Sequence, residues 1–143
     1  MREALDIPIL TVHKIGGRDF WDPTNIHPDR FRRIVEWFSQ QGYRFVTLSE
    51  AVQKSKELTD ELAVAFCFDD GYQSSVPILL QLVEGYDFKG TIFPVAGFLG
   101  AYNSWETMPS RREKHLTMED IKLLSGLGFE IGSHTLTHPD LIS

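Results

Sequence analysis

Leu62–Phe68 (LAVAFCF) is an unbroken apolar run that stops abruptly on Asp69-Asp70-Gly71. A run of that length and composition, bounded by turn-forming residues, reads as the central strand of a sheet. Strand-like and helix-like segments alternate on both sides of it. Ile7–His13 is a short, mostly apolar strand, and a polar loop carries the chain to His27. Pro28 suits the first turn of a helix whose Phe31, Ile34, Val35 and Phe38 recur at helical spacing, with Gly42 closing it. Tyr43–Thr47 is a strand, and Ser49 caps a short helix reaching about Lys54. Beyond the central strand, Ser74 or Ser75 caps a helix with Pro77 in its first turn and Ile78, Leu79, Leu82 and Val83 on its apolar side. The strand Gly90–Ala96 follows. A loop with Tyr102, Trp105 and Pro109 leads to Thr117 and Asp120, a capping-box pattern opening a helix with Ile121, Leu123 and Leu124. Gly128 ends that helix, and Phe129–Ser133 is a fifth strand.

Such alternation implies right-handed β/α units and a mainly parallel sheet in an α/β fold. At 143 residues the chain suits one domain, though it is small for an eight-unit barrel. In folds of this kind the chemistry gathers at the carboxyl edge of the strands. His13 ends the first strand, Asp69 and Asp70 the third, and His134 the fifth, so topology alone brings these residues to one face.

Composition removes several function classes. The net charge of −6, from 14 Lys and Arg against 20 Asp and Glu, leaves no basic footprint for nucleic acid, and a neutral or cationic substrate fits better. The sequence holds no apolar run long enough to cross a membrane, and its start lacks the pattern of a secretory signal. The expectation is a soluble, cytoplasmic protein unless the chain is a processed or truncated secreted or envelope protein. Cys67, the only cysteine, is expected to serve as a small buried hydrophobe.

Adjacent side chains on an extended strand point to opposite sides, so Asp69 and Asp70 need separate tasks. If Asp70 holds a metal, Asp69 can stand beside the water as general base, with Gly71 permitting a sharp turn. Asp-Asp-Gly is also an ordinary surface turn, and only its company raises it above that. In His134-Thr-Leu-Thr-His138 two imidazoles four apart can face one point from a tight loop, and Pro139 keeps His138 out of helical geometry. The segment is not a zincin helix, because Thr135 stands where that motif needs Glu. Two imidazoles, one carboxylate and a spare base suffice for metal-assisted hydrolysis. The donor set suits zinc best, and also suits iron, cobalt or nickel. His13 is either a substrate contact or an ordinary hydrogen-bonded histidine. Tyr102 and Trp105 either stack on sugar rings or pack a long loop onto the core. His27 and His115 have no companions at ligand spacing and are expected to be solvated.

Phe68-Asp-Asp-Gly-Tyr72 and Ser133-His-Thr-Leu-Thr-His138 resemble the first two motifs of the polysaccharide deacetylases, the NodB-homology group or carbohydrate esterase family 4. Pro8–His13 is similar to the opening strand of that family, especially of the branch acting on poly-β-1,6-N-acetylglucosamine. Gly90–Val95 and Leu127–Gly132 resemble strands flanking its site. The resemblance implies a (β/α) barrel-like NodB-homology fold over residues 1–143, cut short after the fifth strand. It also implies that Asp70, His134 and His138 bind the metal, usually zinc, and that Asp69 is the catalytic base. The reaction implied is removal of N-acetyl groups from an N-acetylated glycan. Cys67 replaces the Thr common before the motif. Members of the family continue with strands carrying an arginine motif, pocket residues and a histidine acting as general acid, all expected beyond Ser143. A fifth strand left at the rim would be an unpaired edge open to self-association. A catalytically silent carbohydrate-binding relic and a different carbon–nitrogen hydrolase on the same scaffold remain alternatives at this point.

Overall fold

Helix and strand alternate along the chain as the hydrophobic pattern requires. The computed structural model describes residues 7–16, 21–57, 61–105 and 108–140. In chain order the elements are β1 (Ile9–Val12), β2 (Lys14–Ile15), β3 (Asn25–Ile26), α1 (Pro28–Gln40), β4 (Arg44–Val46) and α2 (Leu48–Glu57). They continue with β5 (Ala63–Asp70), α3 (Val76–Tyr86), β6 (Thr91–Pro94), α4 (Met118–Gly126) and β7 (Glu130–Ile131). Among the described residues every strand ladder is parallel, the antiparallel pairings being two isolated bridges, Tyr72 with His115 and Tyr102 with Lys114. β5 is the hub of a five-stranded sheet. Its residues 65–68 pair with β1, its first half with β4 and its second half with β6, and β6 in turn pairs with β7.

The unbroken apolar run is explained by that position, because Ala63–Phe68 are all buried. Cys67 is buried among them as expected, and burial pushes its thiol pKa up. Phe66 and Phe68 meet Phe31 of α1 edge to face at 5.6 and 6.0 Å, and Phe88, Leu79, Leu82 and Leu124 complete the same core.

The boundaries differ from the sequence pattern in instructive ways. α1 begins at Pro28 as its signal indicates, capped by His27, whose Nδ1 accepts from the Asp29 N–H at 3.2 Å. The cap before α2 is Thr47 rather than Ser49: Thr47 Oγ1 accepts from the Glu50 N–H and Glu50 accepts from the Thr47 N–H. Ser49 instead donates its hydroxyl and N–H to Glu130, which also accepts from Thr91 at 2.7 Å, so β6, β7 and the start of α2 are tied together. Neither Ser74 nor Ser75 caps α3 through its side chain; residues 73–75 form a 3-10 turn that runs straight into the helix. The capping box at Thr117 and Asp120 is present with both reciprocal bonds. The polar loop before His27 contains the two-residue ladder of β2 on β3, too short to leave a periodic signature. No helix among the described residues is long and apolar enough to cross a membrane.

Candidate metal centre

Asp70 is the last residue of β5 and pairs in register with Pro94 of β6. Its φ of 66° lies in the left-handed region, and Gly71 follows at 69°. Two such residues in succession turn the chain sharply off the sheet, and the first is not a glycine, which costs conformational energy. Gly71 is required on steric grounds as well, since a Cβ there would lie 2.9 Å from Pro94 Cα. The Asp70 side chain ends up 6% exposed, with Oδ1 fully buried and without a hydrogen-bond partner. That oxygen faces His134 Nε2 at 3.5 Å and His138 Nε2 at 3.3 Å.

The two histidines arrive on a loop fastened by backbone bonds to the end of β6. His134 N–H donates to Pro94 O at 2.9 Å, Ala96 N–H to Thr135 O at 3.1 Å and Gly97 N–H to Leu136 O at 2.8 Å. Thr135 and His138 take φ values of 64° and 53°, and the His138 N–H is held by Thr135 Oγ1 at 2.9 Å. Pro139 thus leaves His138 outside right-handed helix, as the sequence implies, but in the left-handed region instead of an extended one. Three of the four described non-glycine residues with positive φ therefore belong to this cluster, a concentration of strain typical of functional sites.

The donor set passes a simple fit test. Ligands about 2.0–2.1 Å from a tetrahedral ion stand roughly 3.3 Å apart. Both Asp70–histidine separations are close to that, and donor atoms of all three residues lie within 4.8 Å of one another. The orphaned, buried carboxylate oxygen is the kind of atom a cation would satisfy. Asp69, one residue earlier, is half-buried, and its carboxylate has no hydrogen bond or ion pair among the described residues.

His115, expected to be solvated, is 0% exposed. Its Nδ1 sits 2.7 Å from the Asp70 carbonyl oxygen, and its ring is packed against Tyr72, Phe98 and Trp105. Burial pushes its pKa down. Trp105 lies flat on the His138 ring, centroids 4.3 Å apart and planes at 20°, so one indole face is occupied by a member of the cluster. Tyr102 is exposed. His13 is half-buried and lines an open cavity of about 590 Å3 with Pro23, Asn25 and Arg30. A buried ion pair has no sequence signature at all: Lys14 Nζ donates to Asp22 Oδ2 at 2.6 Å and stands 5.0 Å from the centroid of the Tyr72 ring.

A parallel β/α sheet gathers one carboxylate and two imidazoles at its carboxyl edge, where α/β folds place their chemistry. The sequence model of the polysaccharide deacetylases matches residues 56–143, and the chain belongs to that family. It is 27% identical over 137 residues to YxkH of Bacillus subtilis (strain 168), a protein named for the same family, covering 94% of this chain and 44% of YxkH. Among solved structures it resembles the Streptococcus pyogenes deacetylase PplD, determined in complex with acetate, with a TM-score of 0.76 and 25% identity over 96% of this chain and 60% of PplD. IcaB from Ammonifex degensii shares the fold at a TM-score of 0.68 and 20% identity, over 92% of this chain and 54% of that one. The chain thus spans about half the length of the relatives it matches.

Proposed function

We propose that the chain carries part of the active site of a metal-dependent deacetylase that removes N-acetyl groups from an N-acetylated amino-sugar polysaccharide or oligosaccharide. The observation that carries this reading is the buried, unpartnered Asp70 Oδ1 faced by the Nε2 atoms of His134 and His138. Asp70, His134 and His138 would hold a divalent ion, zinc being the best match to two imidazoles and a carboxylate. Bound there, the ion supplies Lewis acidity that polarises the acetamide carbonyl and acidifies the attacking water.

Two further tasks fall to the chain itself. Asp69 accepts the proton of the water as it attacks, a role open to it because no partner among the described residues holds its carboxylate. Asp70 is placed by the end of β5, and His134 and His138 turn their Nε2 atoms toward it, the nitrogens through which they would hold the ion. The C–N bond then breaks as a general acid protonates the leaving nitrogen, a part that the family resemblance gives to a later histidine and not to a residue of this chain, and the products are acetate and a free amine. The polar, net-acidic composition suits a neutral glycan whose deacetylated product is cationic. Acetate release from N-acetylglucosamine oligomers by the protein at its natural length, abolished by a chelator and restored by zinc, is the direct test. Release that persists in chelator, or none with metal restored, would reject the reading.

A further inference from the structure

The left-handed backbone of Asp70 must be held in place by something. Among the described residues its carbonyl oxygen has two donors: the Val95 N–H at 3.4 Å and His115 Nδ1 at 2.7 Å. The second is much the shorter, and it comes from a ring with no exposed surface. A carbonyl oxygen can only accept, so Nδ1 carries the proton, and in the neutral ring Nε2 is bare. That second nitrogen is buried and unpartnered among the described residues. Burying a polar atom unsatisfied is unfavourable, and an apolar side chain of similar volume would avoid it. What an apolar side chain could not supply is the Nδ1–H donor to Asp70.

The same ring reaches the other side of the cluster. Trp105 meets His115 edge to face at 5.3 Å and lies stacked on His138 at 4.3 Å. Tyr72, at 4.9 Å, and Phe98, at 5.8 Å, close the remaining sides, so the His115 imidazole is confined. One buried imidazole thus touches the backbone of the carboxylate ligand directly and the ring of one histidine ligand through a single indole.

We propose that His115 is a positioning residue for the metal-binding set, fixing Asp70 by its Nδ1–H bond to the Asp70 carbonyl and His138 through the intervening Trp105. It touches neither substrate nor metal. The inference rests on the reading of Asp70, His134 and His138 as metal ligands, and it concerns how tightly and in what geometry they hold an ion. Groups that orient metal ligands typically change affinity by about 10–100-fold when removed.

The test compares His115→Phe, which keeps an aromatic ring but deletes the donor, with His115→Asn, whose amide nitrogen can occupy the Nδ1 position. Zinc affinity is measured by chelator competition and ligand geometry by the visible absorption of the cobalt(II)-loaded protein. All measurements are made well below each variant's melting temperature, so that unfolding does not enter. The expected result is about tenfold or greater loss of zinc affinity and a shifted cobalt spectrum for His115→Phe, with most of both recovered in His115→Asn. If His115→Phe does not fold, His115→Gln, whose amide reaches toward the Nε2 position instead, carries the same comparison. Wild-type affinity and spectrum in the donor-deleted variant would overturn the proposal, as would a His115→Asn variant no better than that variant. Failure of the wild-type protein to bind zinc or cobalt would reject the metal reading itself, a distinct outcome visible before any variant is made.

Discussion

Gly97→Ala tests whether the histidine loop is held by the close approach of two backbones. An added Cβ at Gly97 would stand 2.4 Å from Leu136 O, inside any ordinary contact, and the obstacle is backbone rather than a movable side chain. Relief requires the 96–98 turn and the 135–136 segment to separate by about 1 Å. That separation strains two of the three bonds that pin the loop, Ala96 N–H to Thr135 O at 3.1 Å and Gly97 N–H to Leu136 O at 2.8 Å. Losing both costs about 1–3 kcal/mol, offset by ~0.4–1 kcal/mol from the reduced freedom of the unfolded chain. The expected net destabilisation is about 1–2 kcal/mol. Leu136 lies between the two histidines, so a displacement of ~1 Å also spoils their convergence on Asp70 and should weaken zinc binding by about 10–100-fold. Gly85→Ala is the control: it lies within α3, a Cβ there meets nothing within 4 Å, and that variant should be as stable as the wild type or slightly more so. Denaturant titration and chelator competition read the two effects. A Gly97→Ala protein matching the wild type in both stability and zinc affinity would refute the steric argument.

Further outcomes are expected on the same physical grounds. Asp69→Asn should reduce acetate release by about 10²–10⁴-fold while zinc affinity, read by competition, stays near that of the wild type. Burial alone would raise the pKa of Asp22, but the Lys14 ammonium and the hydroxyl and N–H of Thr24 outweigh it and hold the carboxyl at about 2. Because that lies below the ordinary 3.8, the stabilisation of about 2 kcal/mol is full above roughly pH 4 and fades as pH falls through 2. Acid unfolding of Asp22→Asn should lack that component, and at neutral pH the variant should be less stable by about 2 kcal/mol, Lys14 losing its carboxylate partner at 2.6 Å while it keeps its contact with the Arg111 carbonyl. Thr117→Ala, which removes the hydroxyl accepting from the Asp120 N–H at 3.1 Å, should cost about 1 kcal/mol in thermal unfolding.

What the sequence made legible and what it hid divide along a physical line. The β/α order, the hub strand, the Thr117 capping box and the convergence of Asp70 with His134 and His138 all follow from local patterns plus one topological rule, that parallel strands present their carboxyl ends together. His115 escaped because a lone histidine carries no spacing signal: its contact with Asp70 spans 45 positions and uses a backbone atom. Lys14 and Asp22 escaped for a related reason, since a lysine closing a strand-like segment is normally solvated and nothing local marks it as paired. The misplaced cap of α2 had a visible clue in Thr47 and Glu50, three apart like Thr117 and Asp120. Trp105 could be read as a sugar platform or as packing, and its composition gave no means of choosing; its stacking on His138 is a fact of three dimensions.

The two halves of the cluster are anchored very differently. Asp70 terminates a strand with partners along its length, whereas His134 and His138 ride on a short excursion tied down by a few main-chain bonds to residues 94–97. An incoming ion of larger or smaller radius would therefore meet a stationary oxygen and a pair of nitrogens able to travel. On the proposed metal reading, selectivity among ions would be set by residues 133–138 more than by the sheet.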